Sequence, residues 1–175
     1  MKKKLFVLLA VILLLSLGAL PALAGPPDNS VDGRWCYGEI LQEEEKISGG
    51  NVFYNLDDSG AWIGTFNGYS SDDGRLIVHS SGYTLFKSTV SFESVQVGGK
   101  EGGLEMRING WLPMGAELSE YEGLWVITRA TGELAGLRGQ GTWGGIEIGN
   151  PLCSAIDGGI FFVSVPYSGN IHFEP

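Results

Sequence analysis

Residue types that commonly carry out catalysis are few in this sequence, and their spacing suits no known mechanism. Only two histidines occur, His79 and His172, which excludes a histidine-rich metal site; a two-histidine site would require the fold to bring their strands together. No Gly-x-Ser-x-Gly segment is present to hold a nucleophilic serine. The sequence therefore leaves any catalytic residues unidentified and predicts no metal and no cofactor. It favours a non-enzymatic role and leaves an enzymatic one open.

The carboxylates cluster in short runs that have the composition of turns. Residues 43–45 form an acidic triplet, which is typical of a solvated face or loop. The runs at 57–60 and 70–74 combine Asp, Ser and Gly, which predicts turns between short strands. A calcium loop at 70–74 is the alternative, but the twelve-residue pattern and its closing Glu are missing. The sequence leaves open the hypothesis that two of the 20 acidic residues form a carboxylate pair for acid–base chemistry.

Five tryptophans could line a ligand cavity, although such side chains more often form the core or the wall of a barrel. The candidate ligand or contact residues are Trp62, Trp111, Trp125 and Trp143. Trp111 is distinctive because strand alternation places it on the polar face of its strand, with Glu105, Arg107 and Asn109. We expect Trp111 at a barrel end or on a contact surface, which leaves a homo-oligomer open.

Two cysteines, Cys36 and Cys153, lie near opposite ends of the chain that would follow a removed signal. In an oxidising compartment, two such cysteines are most simply a disulfide. Closing so long a loop would stabilise the fold by roughly 4–5 kcal/mol in the chain-entropy model. A metal-binding or nucleophilic thiol is the alternative, but neither Cys has a His or a second Cys at ligand spacing.

Residues 1–24 have the three parts of a secretory signal peptide. Lys2, Lys3 and Lys4 precede the apolar run 5–17, and Ala22 and Ala24 offer small side chains for cleavage. The run is short for a transmembrane anchor, so we predict a secreted or periplasmic protein without membrane insertion. Residues 25–32 would form a flexible leader, and 33–175 one domain.

Charge excludes two classes of partner. Loss of the three signal lysines would leave 8 basic residues against 20 acidic ones, a net charge of −12. Nucleic acid and anionic membrane both reward a basic surface, so neither is predicted as a partner.

The elements that would position these residues are strands. Period-two alternation places Phe86, Ser88, Val90 and Phe92 on one face, and a later strand does the same with Leu104, Met106, Ile108 and Leu112. Predicted strands cover 33–40, 52–56, 61–66, 75–80, 83–97, 104–112, 124–128, 138–143, 158–165 and 171–173. Residues 41–48 and 166–169 are expected outside strands, and 144–157 to be irregular. One helical turn at 133–137 is possible. This all-β pattern favours a single closed antiparallel barrel of about eight strands, with a β-sandwich as the alternative.

One segment of the sequence is similar to a motif of a known protein family. The segment Ala130-Thr131-Gly132-Glu133-Leu134-Ala135-Gly136-Leu137-Arg138-Gly139-Gln140-Gly141-Thr142-Trp143 joins two strands. Together with 88–103 and 167–173, it resembles a bacterial and archaeal family of unknown function whose members are similar to the allene oxide cyclase and dirigent type of barrel. The resemblance implies a calycin-like closed barrel. It supplies no catalytic residues, because none are known for that family.

Two functional hypotheses follow. The first is an exported binding or structural module, with a small hydrophobic ligand as its partner. The alternative is an isomerase or cyclase acting on a hydrophobic substrate, by analogy with allene oxide cyclase, and it would need a buried acid or bound water in the barrel.

Overall fold

A computed structural model of the chain describes residues 29–38, 41–113, 115–156 and 161–174. The predicted signal peptide lies outside these residues, as do 39–40 and 158–160 of two predicted strands. The described residues form ten strands: β1 Ser30–Tyr37, β2 Leu41–Ser48, β3 Asn51–Gly64, β4 Phe66–Val78, β5 Tyr83–Val97, β6 Lys100–Pro113, β7 Glu122–Ala130, β8 Leu137–Gly144, β9 Glu147–Ile148 and β10 Val163–Phe173. Short 3-10 helices cover Leu118–Glu120 and Gly132–Leu134, and one short helix, α1, covers Pro151–Ser154.

Eight of these strands close into an antiparallel barrel. The order is β1-β10-β8-β7-β6-β5-β4-β3, and β1 also pairs with β3 to complete the circle. At that seam Trp35 lies opposite Trp62, and Gly33 lies opposite Gly64. β2 extends the sheet beside the first half of β3, and β9 pairs with β10. The prediction of a closed barrel of about eight strands is confirmed, and the sandwich alternative is wrong.

Alternation along the strands sets the inner face as predicted. On β6, Leu104, Met106 and Ile108 are buried, whereas Arg107 and Asn109 are exposed. On β5, Ser88, Val90 and Phe92 are buried in the same way. The helical turn expected at 133–137 is present as the 3-10 helix at Gly132–Leu134, between β7 and β8.

Strand boundaries differ from the prediction wherever polar runs were expected to be turns. β3 continues through 57–60 and β4 through 70–74, while 41–48 and 166–169 also lie within strands. β1 begins at Ser30, so Ser30–Asp32, expected in the leader, pair with β10. The residues expected to be irregular include β9 and α1. In the extended strands β3 and β4, cross-strand pairing with a long neighbour overrides local turn composition, because β preference depends on tertiary context.

One half of the barrel is filled by side chains. Trp62 packs against Phe92 and Tyr167 at ring-centroid distances of 5.6 and 5.0 Å, and Phe66 packs edge-on against Trp125 at 5.7 Å. The backbone N–H of Phe66 donates to the Tyr167 hydroxyl over 3.0 Å, which satisfies both groups inside the core. This half lies toward the β5–β6 turn.

A disulfide joins Cys36 of β1 to Cys153 of α1, as predicted, across 117 residues of sequence. Both cysteines are fully buried and pack with Ala61 and Phe161 in a small cluster of their own. The Asn150 side chain caps α1 by accepting from the Leu152 N–H at 3.0 Å. The bond therefore fixes the segment that contains β9 and α1 to the outside of β1. Within the described part of the chain, no helix is long and apolar enough to span a membrane.

Candidate functional site

The other half of the barrel holds a cavity of about 420 Å³. It lies toward the start of β5, where Phe86 and Ser88 are among its lining residues. Aliphatic side chains such as Leu56, Leu76 and Val165 form part of its wall. Aromatic side chains form much of the rest, namely Trp35, Tyr37, Phe86, Tyr121 and Trp143. The cavity is therefore mainly apolar, and its volume is in the range typical of small-molecule sites.

Glycines on other strands position Trp35 and Trp143 in the cavity wall. A Cβ at Gly110 would lie 2.3 Å from the Trp143 ring, and one at Gly60 would lie 2.5 Å from Trp35 Nε1. Side chains at these points would displace the indoles, so the glycines allow both rings to lie flat along the sheet. The Trp143 N–H donates to the Asn109 carbonyl over 3.0 Å. Phe86 meets the Trp143 ring edge-on at 6.0 Å.

Two carboxyl groups also line the cavity, Asp58 from β3 and Asp72 from β4. The two residues are direct cross-strand partners in the antiparallel ladder. Their chain neighbours Asp57 and Asp73 are also partners, but both are exposed on the outer face. Successive side chains point to opposite faces of a strand. Asp58 and Asp72 therefore face the cavity, whereas Asp57 and Asp73 face solvent.

Asp72 is held by a short hydrogen-bond chain within the wall. The Trp62 indole N–H donates to Ser70 Oγ over 3.1 Å, and that hydroxyl donates to Asp72 Oδ1 over 3.1 Å. The second oxygen, Oδ2, is buried and has no partner among the described residues. Burial of this carboxyl, which is only 5 % exposed, raises its pKa to about 8; Asp58 adds to the rise and the Ser70 hydrogen bond opposes it.

The other titratable groups of the cavity respond to the same low-dielectric surroundings. Burial raises the pKa of Asp58 to about 6, although the Ser59 backbone N–H donates to its carboxylate and opposes the rise. Burial, followed by the nearby Asp58 charge, raises the pKa of the Tyr37 phenol, and burial also raises that of Tyr121. Near neutral pH the site therefore holds one mostly neutral carboxylic acid beside one mostly ionised carboxylate.

The four predicted tryptophans occupy three different environments. Trp143 lines the cavity, whereas Trp62 and Trp125 are buried in the filled half of the barrel. Trp62 stacks on Trp35 with ring centroids 5.7 Å apart, so it supports the cavity wall from the filled side. Trp111 is half-exposed on the outer face, as its polar strand face predicted, and it borders a shallow groove with Leu124.

The described residues contain no group of three or more potential metal ligands. His79 stacks on Tyr83 with ring centroids 4.1 Å apart, and His172 lies near the opposite end of the barrel on β10. His79 is near the end of β4 that borders the cavity half, so the two histidines are not brought together in the sheet.

Sequence reasoning missed Asp58 and Asp72 because it assigned both to turns. A pattern in the sequence could have identified them. Counting by twos from Leu56 to Trp62 places Asp58 and Gly60 on the inner face of one continuous strand. Counting back from Leu76 places Gly74 and Asp72 on the inner face of the next strand. Trp35 also lines the cavity, although it was not among the four tryptophans chosen as candidates.

Comparison with known proteins supports the fold. No protein-family model matches the sequence, and no curated protein is similar enough to count as a relative. A solved structure of similar fold is the protein with unknown function from the DUF3224 family of Shewanella oneidensis MR-1. It aligns with a TM-score of 0.56 and 16 % identity over 85 % of this chain and 98 % of that one. At this identity the likeness shows the fold alone. The expected likeness to allene oxide cyclase and dirigent barrels stays a prediction.

Proposed function

We propose that this protein binds a small, mainly apolar molecule in the cavity of its barrel. The cavity of about 420 Å³, with its aromatic and aliphatic wall, is the observation that supports the proposal. Ile146 and Ile148, at and beside β9, also line the cavity, and the disulfide holds α1 of the same segment against β1. A disulfide is also compatible with the predicted export to an oxidising compartment.

Native mass spectrometry of the purified full chain, followed by organic extraction, tests this proposal. We expect a reproducible bound small molecule in the wild-type protein. A Leu76→Trp variant fills the cavity from its wall and should lose that molecule. Val126→Trp places the same side chain on the outer face, where Val126 is 41 % exposed, and should retain it. Equal retention by both variants, or an empty wild-type protein that also takes up no added apolar probe, would contradict binding in the cavity.

A second candidate function is isomerisation of an apolar carbonyl compound, and the unpartnered Asp72 Oδ2 is the observation that favours it. The Asp58 carboxylate would take a proton from the carbon beside the carbonyl. Asp72 would meanwhile donate a hydrogen bond to the carbonyl oxygen, and the proton would return to carbon from Asp58. No oxidant or reductant is required, since one C–H bond breaks and another forms.

Acetophenone in D₂O tests this second candidate, because its methyl protons exchange through the same enol. Wild-type protein should speed deuterium incorporation above the buffer rate, and Asp58→Asn should abolish the increase. Asp57→Asn, on the outer face of the same strand, should retain it. Incorporation at the buffer rate with wild-type protein would count against proton transfer and leave simple binding in place.

A further inference from the structure

The charges of the cavity are all of one sign. Asp58 and Asp72 line it, and no Lys, Arg or His is among its described lining residues. The two acids face each other across the β3–β4 ladder, and Oδ2 of Asp72, a side chain only 5 % exposed, has no partner among the described residues. A buried carboxylate without a cation is costly in free energy, so this arrangement leaves a place for a positive charge.

The wall beside these acids suits a cation that carries hydrocarbon. Trp35 and Tyr37 are in mutual contact at a centroid distance of 5.1 Å, and Phe86 and Trp143 face the same space. Aromatic faces attract alkylammonium groups through the ring quadrupole, most strongly where water is excluded. The same rings also bury alkyl groups, so one wall can hold both parts of an amphiphilic amine.

This inference rests on the proposed ligand-binding function. We infer that the molecule bound in the cavity is an apolar amine, held as its ammonium ion between Asp58 and Asp72 with its hydrocarbon part against the aromatic wall. A neutral alcohol would leave the carboxylate uncompensated. A fatty acid would add a third acidic group to a cavity with no Lys, Arg or His among its described lining residues, and like charges in such a low-dielectric site repel.

The pH dependence of binding follows from the groups that face the ligand. These groups are Asp58 from β3, Asp72 from β4, Tyr37 from β1, and Tyr121 just before β7. The phenols stay neutral through the accessible range, because burial raises the pKa of each. The carboxyl groups ionise between about pH 5 and pH 9, since their pKa values are about 6 and about 8. Amine affinity should therefore rise over that interval, below the pKa of an alkylamine near 10.

Octylamine, octanol and octanoate form a matched set of probes, because they share one alkyl chain and differ in charge. We would titrate each into the wild-type protein and follow tryptophan fluorescence and binding heat. Octylamine should bind at least tenfold more tightly than octanol at pH 8, and octanoate should bind most weakly. The preference for the amine should shrink at pH 5. Each titration stays below the concentration at which the probe forms micelles.

Variants separate this inference from the proposed function. Asp58→Asn combined with Asp72→Asn should reduce the preference for octylamine over octanol to within about twofold while octanol still binds. Asp57→Asn combined with Asp73→Asn removes the neighbouring outward pair and should preserve the full preference. If octanol binds wild-type protein as tightly as octylamine, the amine inference fails and the cavity proposal stands. If none of the three probes binds, the cavity proposal itself fails.

Discussion

Asp72 combines two features that seldom occur together in a side chain whose role is only to support the fold. It is buried in a mainly apolar wall, and one of its oxygens has no hydrogen-bond partner among the described residues. Ser70 and Trp62 fix the other oxygen, so the side chain keeps one orientation. A carboxyl group held in this way costs stability when it ionises, which links the site to the free energy of folding.

That linkage predicts a loss of stability as pH rises. The pKa of Asp72 is about 8 in the folded protein, against an ordinary value of 3.8, so the folded state binds the proton more tightly. Stability is then fully present below the ordinary value and is lost as pH rises toward 8, by up to about 4 kcal/mol between pH 5 and pH 8. Asp58 contributes in the same direction below about pH 6. Urea unfolding at several pH values measures this loss.

Asp72→Asn should remove most of that pH dependence and should raise stability at pH 8. Asp73→Asn, on the exposed face one residue away, should unfold with the wild-type pH dependence. Equal slopes in wild type and Asp72→Asn would mean that Asp72 is ionised in the folded protein.

At the scale of the strands, glycines determine where the aromatic rings can lie. Trp125 lies against Gly141 and Gly169 in the filled half, just as Trp143 lies against Gly110 in the hollow half. Gly141 of β8 and Gly169 of β10 thus leave room for the ring of Trp125 on β7. Gly123 of β7 and Gly110 of β6 leave room for the ring of Trp143 on β8. These close approaches curve the sheet and set the shape of the cavity wall.

Gly110→Ala should lower stability by about 1–3 kcal/mol, because its Cβ would lie 2.3 Å from the Trp143 ring and force that ring to move. Chemical denaturation measures the loss. A second substitution, Trp143→Leu, removes the ring, so the double variant should show a favourable coupling between the two sites. Additive losses in the double variant would rule out contact with Trp143 as the cause.

The disulfide acts between elements that are distant in sequence. Replacing Cys36 and Cys153 together by Ala should lower the free energy of unfolding by about 2–5 kcal/mol, since the closed loop spans 117 residues. Wild-type protein unfolded under reducing conditions is the matched control and should lose a similar amount. Thermal and urea midpoints that do not change would show that the bond adds nothing to the fold.

For the molecule as a whole, closure of the barrel depends on β1, which pairs with β10 on one side and β3 on the other. The barrel therefore has no free edge at this seam, whereas β3 is the one partner of β2 among the described strands. One circular sheet thus supports both a filled half and a hollow half. Side chains such as Trp35, Tyr37 and Trp143 belong to the main buried cluster and also line the cavity, so changes in the cavity wall also change stability.

Amide hydrogen exchange measured by NMR tests this closure. Every amide from residue 33 to residue 37 should exchange slowly, because each bonds to one neighbour or the other. Within β2, alternate amides should exchange quickly, since its outer edge has no partner among the described strands. Fast exchange at alternate positions of β1 would indicate an open seam and a sheet with two edges.

The sequence by itself determined the all-β class, the closed barrel, the inner faces of β5 and β6, the exposed Trp111 and the disulfide. Each of these depends on local or compositional information: period-two alternation, frequent glycines and a count of two cysteines. Alternation is a property of the strand backbone, so it can be counted along the chain wherever apolar residues mark one face.

Only the tertiary structure decided that Asp58 and Asp72 lie inside the barrel. Their Asp–Ser–Gly surroundings have turn composition, and local preference alone would end both strands there. Pairing of β3 with both β2 and β1, and of β4 with β5, carries the chain straight through these runs. The cavity could not be predicted from the sequence either. A cavity is the space left between side chains from many strands, so no single segment of the sequence indicates it.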